Sequence, residues 1–200
     1  MYYYISGKIA VIDPTFVVLD VGGLGYEIKI SLNTYSEIKS VESCKLFTYF
    51  HVKEDIQALY GFLTEEDKLL FMRLIGVSGI GPSTGLMIFS SLSTVEIKEA
   101  IVGGNSRVIQ SVKGIGAKTA QRLILELKDK IQLDEASMAA VSASETGTGG
   151  SQHLKTEALA ALVTLGIPKT AAEKNINSVL KKYGSDIKLE DLIKHSLKTL

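Results

Sequence analysis

The chain has 200 residues, 46% of them hydrophobic, with 22 basic and 22 acidic side chains. That length can bury one large core or two to three small ones, and zero net charge gives no overall attraction to nucleic acid or an anionic membrane. No apolar run is long enough to span a bilayer, no signal-peptide layout opens the chain, and the lone Cys44 cannot form an internal disulfide, so a cytoplasmic protein with no membrane partner is expected.

Residues 1–63 read as short strands. "YYYISGKIAVID" ends at the Asp13-Pro14 turn, and "FVVLDV" and "YEIKI" flank Val21-Gly22-Gly23-Leu24-Gly25, a hairpin turn by its composition. As a dinucleotide fingerprint the glycine cluster fails, because no helix follows it. After a short polar stretch, "KLFTYFHV" and "QALYGF" form another pair joined by Lys53-Glu54-Asp55-Ile56. About five short strands in so few residues suggest a small closed barrel, with the OB type as a candidate. Cys44 is expected as a buried strand thiol. His51, His153 and His195 are scattered without neighbouring ligands, so neither a metal nor another cofactor is expected.

Thr64-Glu65-Glu66-Asp67 changes the grammar to an N-cap with an acidic first turn, followed by helical apolar spacing in "KLLFMRLIGV". Ser93-Thr94-Val95-Glu96 is a capping-box pattern, and Gly103-Gly104-Asn105 stops the helix it opens. Residues 65–133 therefore predict about five short helices. The stretch 134–152 loses the apolar period, and "SASETGTGGSQ" has the composition of a flexible linker. Three amphipathic helices follow, broken at Gly166 with Pro168 and again at Gly184. Their expected core is Leu159, Leu162, Val163, Ile176, Val179, Leu180, Leu192 and Ile193. So small a bundle behind a linker suits the binding of another protein.

One device occurs twice. "SGIGPSTG" (78–85) and "KGIGAKTA" (113–120) lie thirty-five residues apart, and the alignment carries Val77 onto Val112, Thr84 onto Thr119 and Leu92 onto Leu127. Each copy reads as helix, tight turn, helix. The glycines allow positive φ and uncover backbone N–H groups, Ile80 and Ile115 point inward, and the next helix presents its unsatisfied N–H groups and positive dipole end. Such a turn holds phosphate without reading bases. It is not a Walker A loop, since Ala117 separates Gly116 from Lys118 and helix precedes it. Around the second copy, Arg107, Lys113, Lys118, Arg122, Lys128 and Lys130 face only Glu126 and Asp129. The candidate DNA-binding residues are Gly79, Ile80, Gly81, Ser83 and Thr84 in the first copy. In the second they are Lys113, Gly114, Ile115, Gly116, Lys118, Thr119 and Arg122.

Together with "VGGLGYE" and "EDIQALYGF", "GIGAKTAQRL" makes the chain resemble the RuvA family along essentially its whole length. The resemblance implies an α+β multidomain protein: an OB-type barrel (1–64), an all-α domain with two helix-hairpin-helix motifs (65–142), a flexible linker (143–152) and a three-helix bundle (153–200). It implies a non-catalytic subunit that binds four-way (Holliday) DNA junctions as a homotetramer, with one or two tetramers on each junction. A hexameric ATPase of the RuvB type would dock on the C-terminal bundle and drive branch migration in recombination and repair, and a RuvC-type resolvase is a further implied partner. Glu54 and Asp55 would form an acidic pin near the junction centre. The corner Leu165-Gly166-Ile167-Pro168 is the expected contact for the motor.

The chain departs from the family pattern in one respect. Members usually carry lysine just after the first Gly-x-Gly-Pro, where this chain has Ser83, and often two lysines after the second turn, where it has Ala117 and Lys118. No Lys or Arg occurs from Leu74 to Ile97. Two other readings stay open from the residues alone. One is a nuclease or ligase fragment using the hairpins as a clamp, and the other is a protein scaffold that leaves the doubled hairpin unexplained.

Overall fold

In the computed structural model, residues 2–144, 150–184 and 187–198 are described, those from 133 to 153 by backbone alone. The chain divides into two compact units, Met1–Leu133 and Asp134–Leu200. The first begins with strands β1 (Tyr4–Asp13), β2 (Phe16–Val21) and β3 (Leu24–Lys29), then helix α1 (Leu32–Ile38) and strands β4 (Ser43–Val52) and β5 (Gln57–Phe62). The strands close into a barrel in the order β1-β2-β3-β5-β4, antiparallel except for β3 against β5. Alternation in the sequence fills it: Val17, Leu19, Ile28 and Leu46 are fully enclosed while their strand neighbours turn outward. Two glycines are sterically required. A Cβ at Gly7 would lie 2.4 Å from the Asp20 carbonyl oxygen, and one at Gly61 would lie 2.6 Å from Ile28 Cγ2.

The β2–β3 connection is the expected hairpin, with Gly22 and Gly23 at φ +63° and +89° and the Gly23 N–H donating to Asp20 Oδ1 at 2.8 Å. The polar stretch between the strand pairs contains α1, which the sequence reading left without a helix. Ser31 caps it by accepting from the Thr34 N–H, and Asn33 Nδ2 donates to the Phe89 and Leu92 carbonyls at 2.8 and 3.2 Å. Cys44 is half-buried, which pushes its thiol up.

Five helices follow: α2 (Glu65–Gly76), α3 (Pro82–Ser91), α4 (Thr94–Val102), α5 (Ser106–Gln110) and α6 (Ala117–Ser144). Thr64 caps α2 by accepting from the Asp67 N–H at 3.1 Å, and Ser93 with Glu96 closes a complete capping box on α4. The Ser93 N–H and hydroxyl both donate to Glu96, which lowers that carboxyl below its ordinary range. The barrel interior has its own cluster around Val17, Leu19, Ile28 and Leu46, and strand β5 also faces the helices. Tyr60 and Phe62 of β5 enter the same cluster as Phe71, Phe89, Ile97 and Leu123, with Phe62 and Phe71 ring centroids 4.7 Å apart. Strand β5 thereby joins the barrel to the core of the helices.

The helix α6 continues to Ser144, eleven residues past the point where the apolar period fades, and the next helix opens at Gly150. Of the expected linker over 143–152, residues 145–149 lie outside the described residues and the flanks are helical. The second unit holds α7 (Gly150–Thr164), α8 (Lys169–Tyr183) and α9 (Leu189–Lys198). Leu162, Ile176, Val179 and Leu192 are buried, and Leu159, Leu180 and Ile193 pack against them as expected. Val163 is the exception at 44% exposed, while Ile167 is core at 9%. The chain reverses at Gly166 (φ +89°), and the Ile167 N–H donates to the Leu162 carbonyl at 3.1 Å, which returns Ile167 to the bundle interior.

Candidate nucleic-acid interface

The two glycine turns are built alike, bond for bond. In the first, between α2 and α3, the Ile80 N–H donates to the Val77 carbonyl at 3.0 Å and the Gly85 N–H to the Gly81 carbonyl at 2.9 Å. In the second, between α5 and α6, the Ile115 N–H donates to Val112 at 3.2 Å and the Ala120 N–H to Gly116 at 3.0 Å. Gly79 and Gly114 take φ of +95° and +91°, a region that side chains rarely enter. Val77, Ile80, Val112 and Ile115 are all buried in the shared core. Ile80 and Ile115 therefore hold the turns in place. Their side chains are enclosed and their N–H groups are already bonded, so neither residue offers a contact of its own to a ligand.

The donors left over gather at the two turns. The N–H groups of Gly79, Gly81 and Ser83, and of Gly114, Gly116 and Lys118, have no backbone acceptor among the described residues. Gly81 caps α3 with no side-chain hydrogen bond, and Pro82 follows at the first turn, where its missing N–H costs nothing. Nothing lies within 4 Å of a Cβ placed on Gly81, Gly114 or Gly116, so the turns face open space. The two turns also adjoin, since a Cβ at Gly79 would meet Thr119 Oγ1 at 3.6 Å. Thr119 thus lies between the hairpins, whereas Thr84 is half-buried at the start of α3.

Charge is divided unevenly. Lys113 and Lys118 are exposed, and neither has an ion-pair partner among the described residues. Arg122, one turn into α6, is paired with Glu126 at 3.3 Å, so its charge is partly spent within the helix. Ser83, at the position where a cation is missing, is exposed and lines the same open cleft as Tyr60 of β5. Burial pushes the Tyr60 phenol up. This placement across the barrel edge is absent from the sequence reading, because twenty-three residues separate the two.

Glu54 and Asp55 sit fully outside, on the β4–β5 turn closed by the Lys53 N–H to the Ile56 carbonyl at 2.8 Å. In the second unit, Leu165 is 62% exposed, Gly166 and Pro168 are exposed, and Ile167 faces inward. The corner expected to meet a partner therefore presents Leu165 and the neighbouring Val163, with Ile167 as its support. Among the described residues no three His, Cys, Asp or Glu side chains gather as metal ligands, and no helix is long and apolar enough to cross a membrane.

A closed five-stranded barrel whose strand β5 packs into the core of two matched glycine hairpins defines a tandem helix-hairpin-helix protein on an OB-type barrel. Comparison with known sequences agrees: the family described as RuvA N terminal domain matches residues 1–61, and the SAM-like helix-hairpin-helix tandem matches residues 71–129. Relatives over the whole length are named Holliday junction branch migration complex subunit RuvA. That of Cytophaga hutchinsonii is 49% identical over 198 residues, covering 99% of both chains. That of Amoebophilus asiaticus is 44% identical over 199 residues, 99% of this chain and 100% of the relative, and that of Bacteroides fragilis 43% over 202 residues, covering both in full. The chain belongs to the RuvA family.

Proposed function

We propose that this protein binds four-way DNA junctions by their sugar-phosphate backbone and presents them to a motor for branch migration. The observation that carries the reading is the doubled hairpin, with matched hydrogen bonds and uncommitted N–H groups facing open space. A pair of such cradles can grip phosphates of either strand without reference to sequence, and sequence independence is what a migrating junction requires. The relatives are named as subunits of a branch migration complex, which favours a binding role with ATP hydrolysis in a hexameric RuvB-type partner. A homotetramer would place eight hairpins on one ligand, so that weak individual contacts add to tight binding. One or two tetramers per junction, and contact with a RuvC-type resolvase, belong to the same reading, as do a cytoplasmic location and docking of the motor at Leu165 and its neighbours.

Glu54 and Asp55 act in this scheme by repulsion. Four exposed acidic turns converging on a junction centre would raise the cost of bringing duplex phosphates there, while separated strands can pass around them. The test is a gel-shift titration of a synthetic four-way junction against linear duplex of the same sequence content, at two salt concentrations and without nucleotide. Junction preference that persists at the higher salt supports the reading. Equal affinity for both substrates would overturn it, and magnesium-dependent cleavage of the junction would return the nuclease reading.

A further inference from the structure

The first hairpin lacks any cation of its own between Leu74 and Ile97, yet phosphate contacts draw much of their strength from lysine and arginine. A cation stands nearby in space. Lys29, the last residue of β3, pairs in register with Tyr60 of β5, and its Nζ lies 5.9 Å from the centre of the Tyr60 ring. Lys29, Tyr60 and Ser83 line one open cleft of about 590 Å³ between the barrel and α3.

Resting on the junction-binding reading, we infer that Lys29 supplies the backbone-phosphate contact of the first hairpin, in place of the lysine that position 83 lacks. Lys29 is exposed, and among the described residues it forms no ion pair. The cleft's one carboxylate, Glu27, lies on the same strand and leaves the lysine's charge unneutralised. At 5.9 Å the ring contact is near the outer limit of a cation–π interaction. The ammonium is therefore held loosely at the ring rather than fixed, and its four-carbon stem can follow a phosphate seated at the Gly79 and Gly81 N–H groups. The barrel then takes part in backbone binding, and the first hairpin gains a cation that its own segment lacks.

The experiment is the salt dependence of junction affinity for the full chain and three variants: Lys29→Gln, Lys29→Arg and, as a control lysine at the end of α1, Lys39→Gln. Thermal melts accompany each to show that the fold is kept. Lys29→Gln should flatten the slope of log affinity against log salt by about 0.9 per subunit. Lys29→Arg should restore it, and Lys39→Gln should leave it unchanged. Wild-type preference for the junction together with an unaltered slope in Lys29→Gln overturns the inference and spares the junction reading, and equal flattening by the control overturns it as well. If wild type binds junction and duplex alike, the junction reading fails, and the slope on duplex still decides whether Lys29 touches phosphate. Absence of DNA binding sinks both.

Discussion

Two glycines of the second hairpin separate what the fold needs from what a ligand needs. Gly114 has φ +91° and Gly116 lies outside the positive-φ set, yet a Cβ would meet nothing within 4 Å at either position. Alanine at 114 therefore costs only backbone strain, about 1–2 kcal/mol, offset by about 0.4–1 kcal/mol of lost unfolded-state entropy. The net is about 1 kcal/mol, or a fall in melting temperature of about 3–5 °C for a unit this size. At 116 the entropy gain and the poorer N-cap propensity of alanine, about 0.5 kcal/mol, nearly cancel, so Gly116→Ala should melt like wild type. Its methyl group, however, would stand in front of the N–H groups that a phosphate must approach. Losing one charged hydrogen bond there, about 1.5–3 kcal/mol, lowers affinity roughly tenfold or more per site. Thermal melts and junction titrations on the two variants test this. Junction binding by Gly116→Ala at wild-type affinity would refute the argument that this glycine serves an approaching backbone.

Three further outcomes are expected. Lys118→Ala should weaken binding to every junction whatever its sequence and flatten the salt slope by about 0.9 per subunit. Ser83→Ala, which removes only a hydroxyl, should leave that slope intact, and equal effects in salt titrations would remove the asymmetry between the hairpins. Glu96 has its carboxyl lowered by the Ser93 N–H and hydroxyl, so its share of stability is full above the ordinary glutamate range and is lost as pH falls through its lowered folded value. Glu96→Gln should accordingly lose less stability than wild type over that acid window in melts recorded as pH is lowered. Ser196 is fully buried in the second unit, and its hydroxyl has no hydrogen-bond partner among the described residues. Ser196→Ala should raise that unit's stability by about 1 kcal/mol in chemical denaturation, and a loss of stability would mean that the hydroxyl is bonded.

What could be read from the letters alone was whatever repeats or alternates locally. The strands announce themselves by Val17, Leu19, Ile28 and Leu46 alternating with outward residues, and the hairpins by two glycine patterns at fixed spacing. Helix α1 escaped because its seven residues bury only Thr34 and Ile38, and because Asn33 anchors it to carbonyls of α3 more than fifty residues away. The end of α6 escaped for the opposite reason. After Leu133 the sequence carries no sustained apolar period, while its alanines favour helix by propensity. Val163 and Ile167 exchanged their expected places because a single left-handed glycine, Gly166, resets the helical phase between them. The cleft that gathers Lys29, Tyr60 and Ser83 joins β3, β5 and α3, and no window of sequence spans it.

Why strand β5 of the barrel should pack into the core of the hairpins follows from the task proposed for them. A cradle of N–H groups discriminates junction from duplex only if its copies are held at fixed separation, because two loosely tethered cradles would adapt to any duplex. In this chain Ile80 and Ile115, the inward residues of the two turns, belong to the same buried cluster as Tyr60 and Phe62 of the barrel. The strand that carries Tyr60 and Phe62 begins at the acidic β4–β5 turn. On the proposed reading, attraction at the hairpins and repulsion at Glu54-Asp55 would both depend on the packing around β5, and a cavity in that cluster should disturb both together. Ile115→Ala, which removes a nearly enclosed side chain, should cost about 2–5 kcal/mol in stability. In the fraction that remains folded, junction preference over duplex should fall more than affinity for duplex. Preserved preference at reduced stability, read from paired gel shifts and melts, would show that the hairpin spacing is set elsewhere.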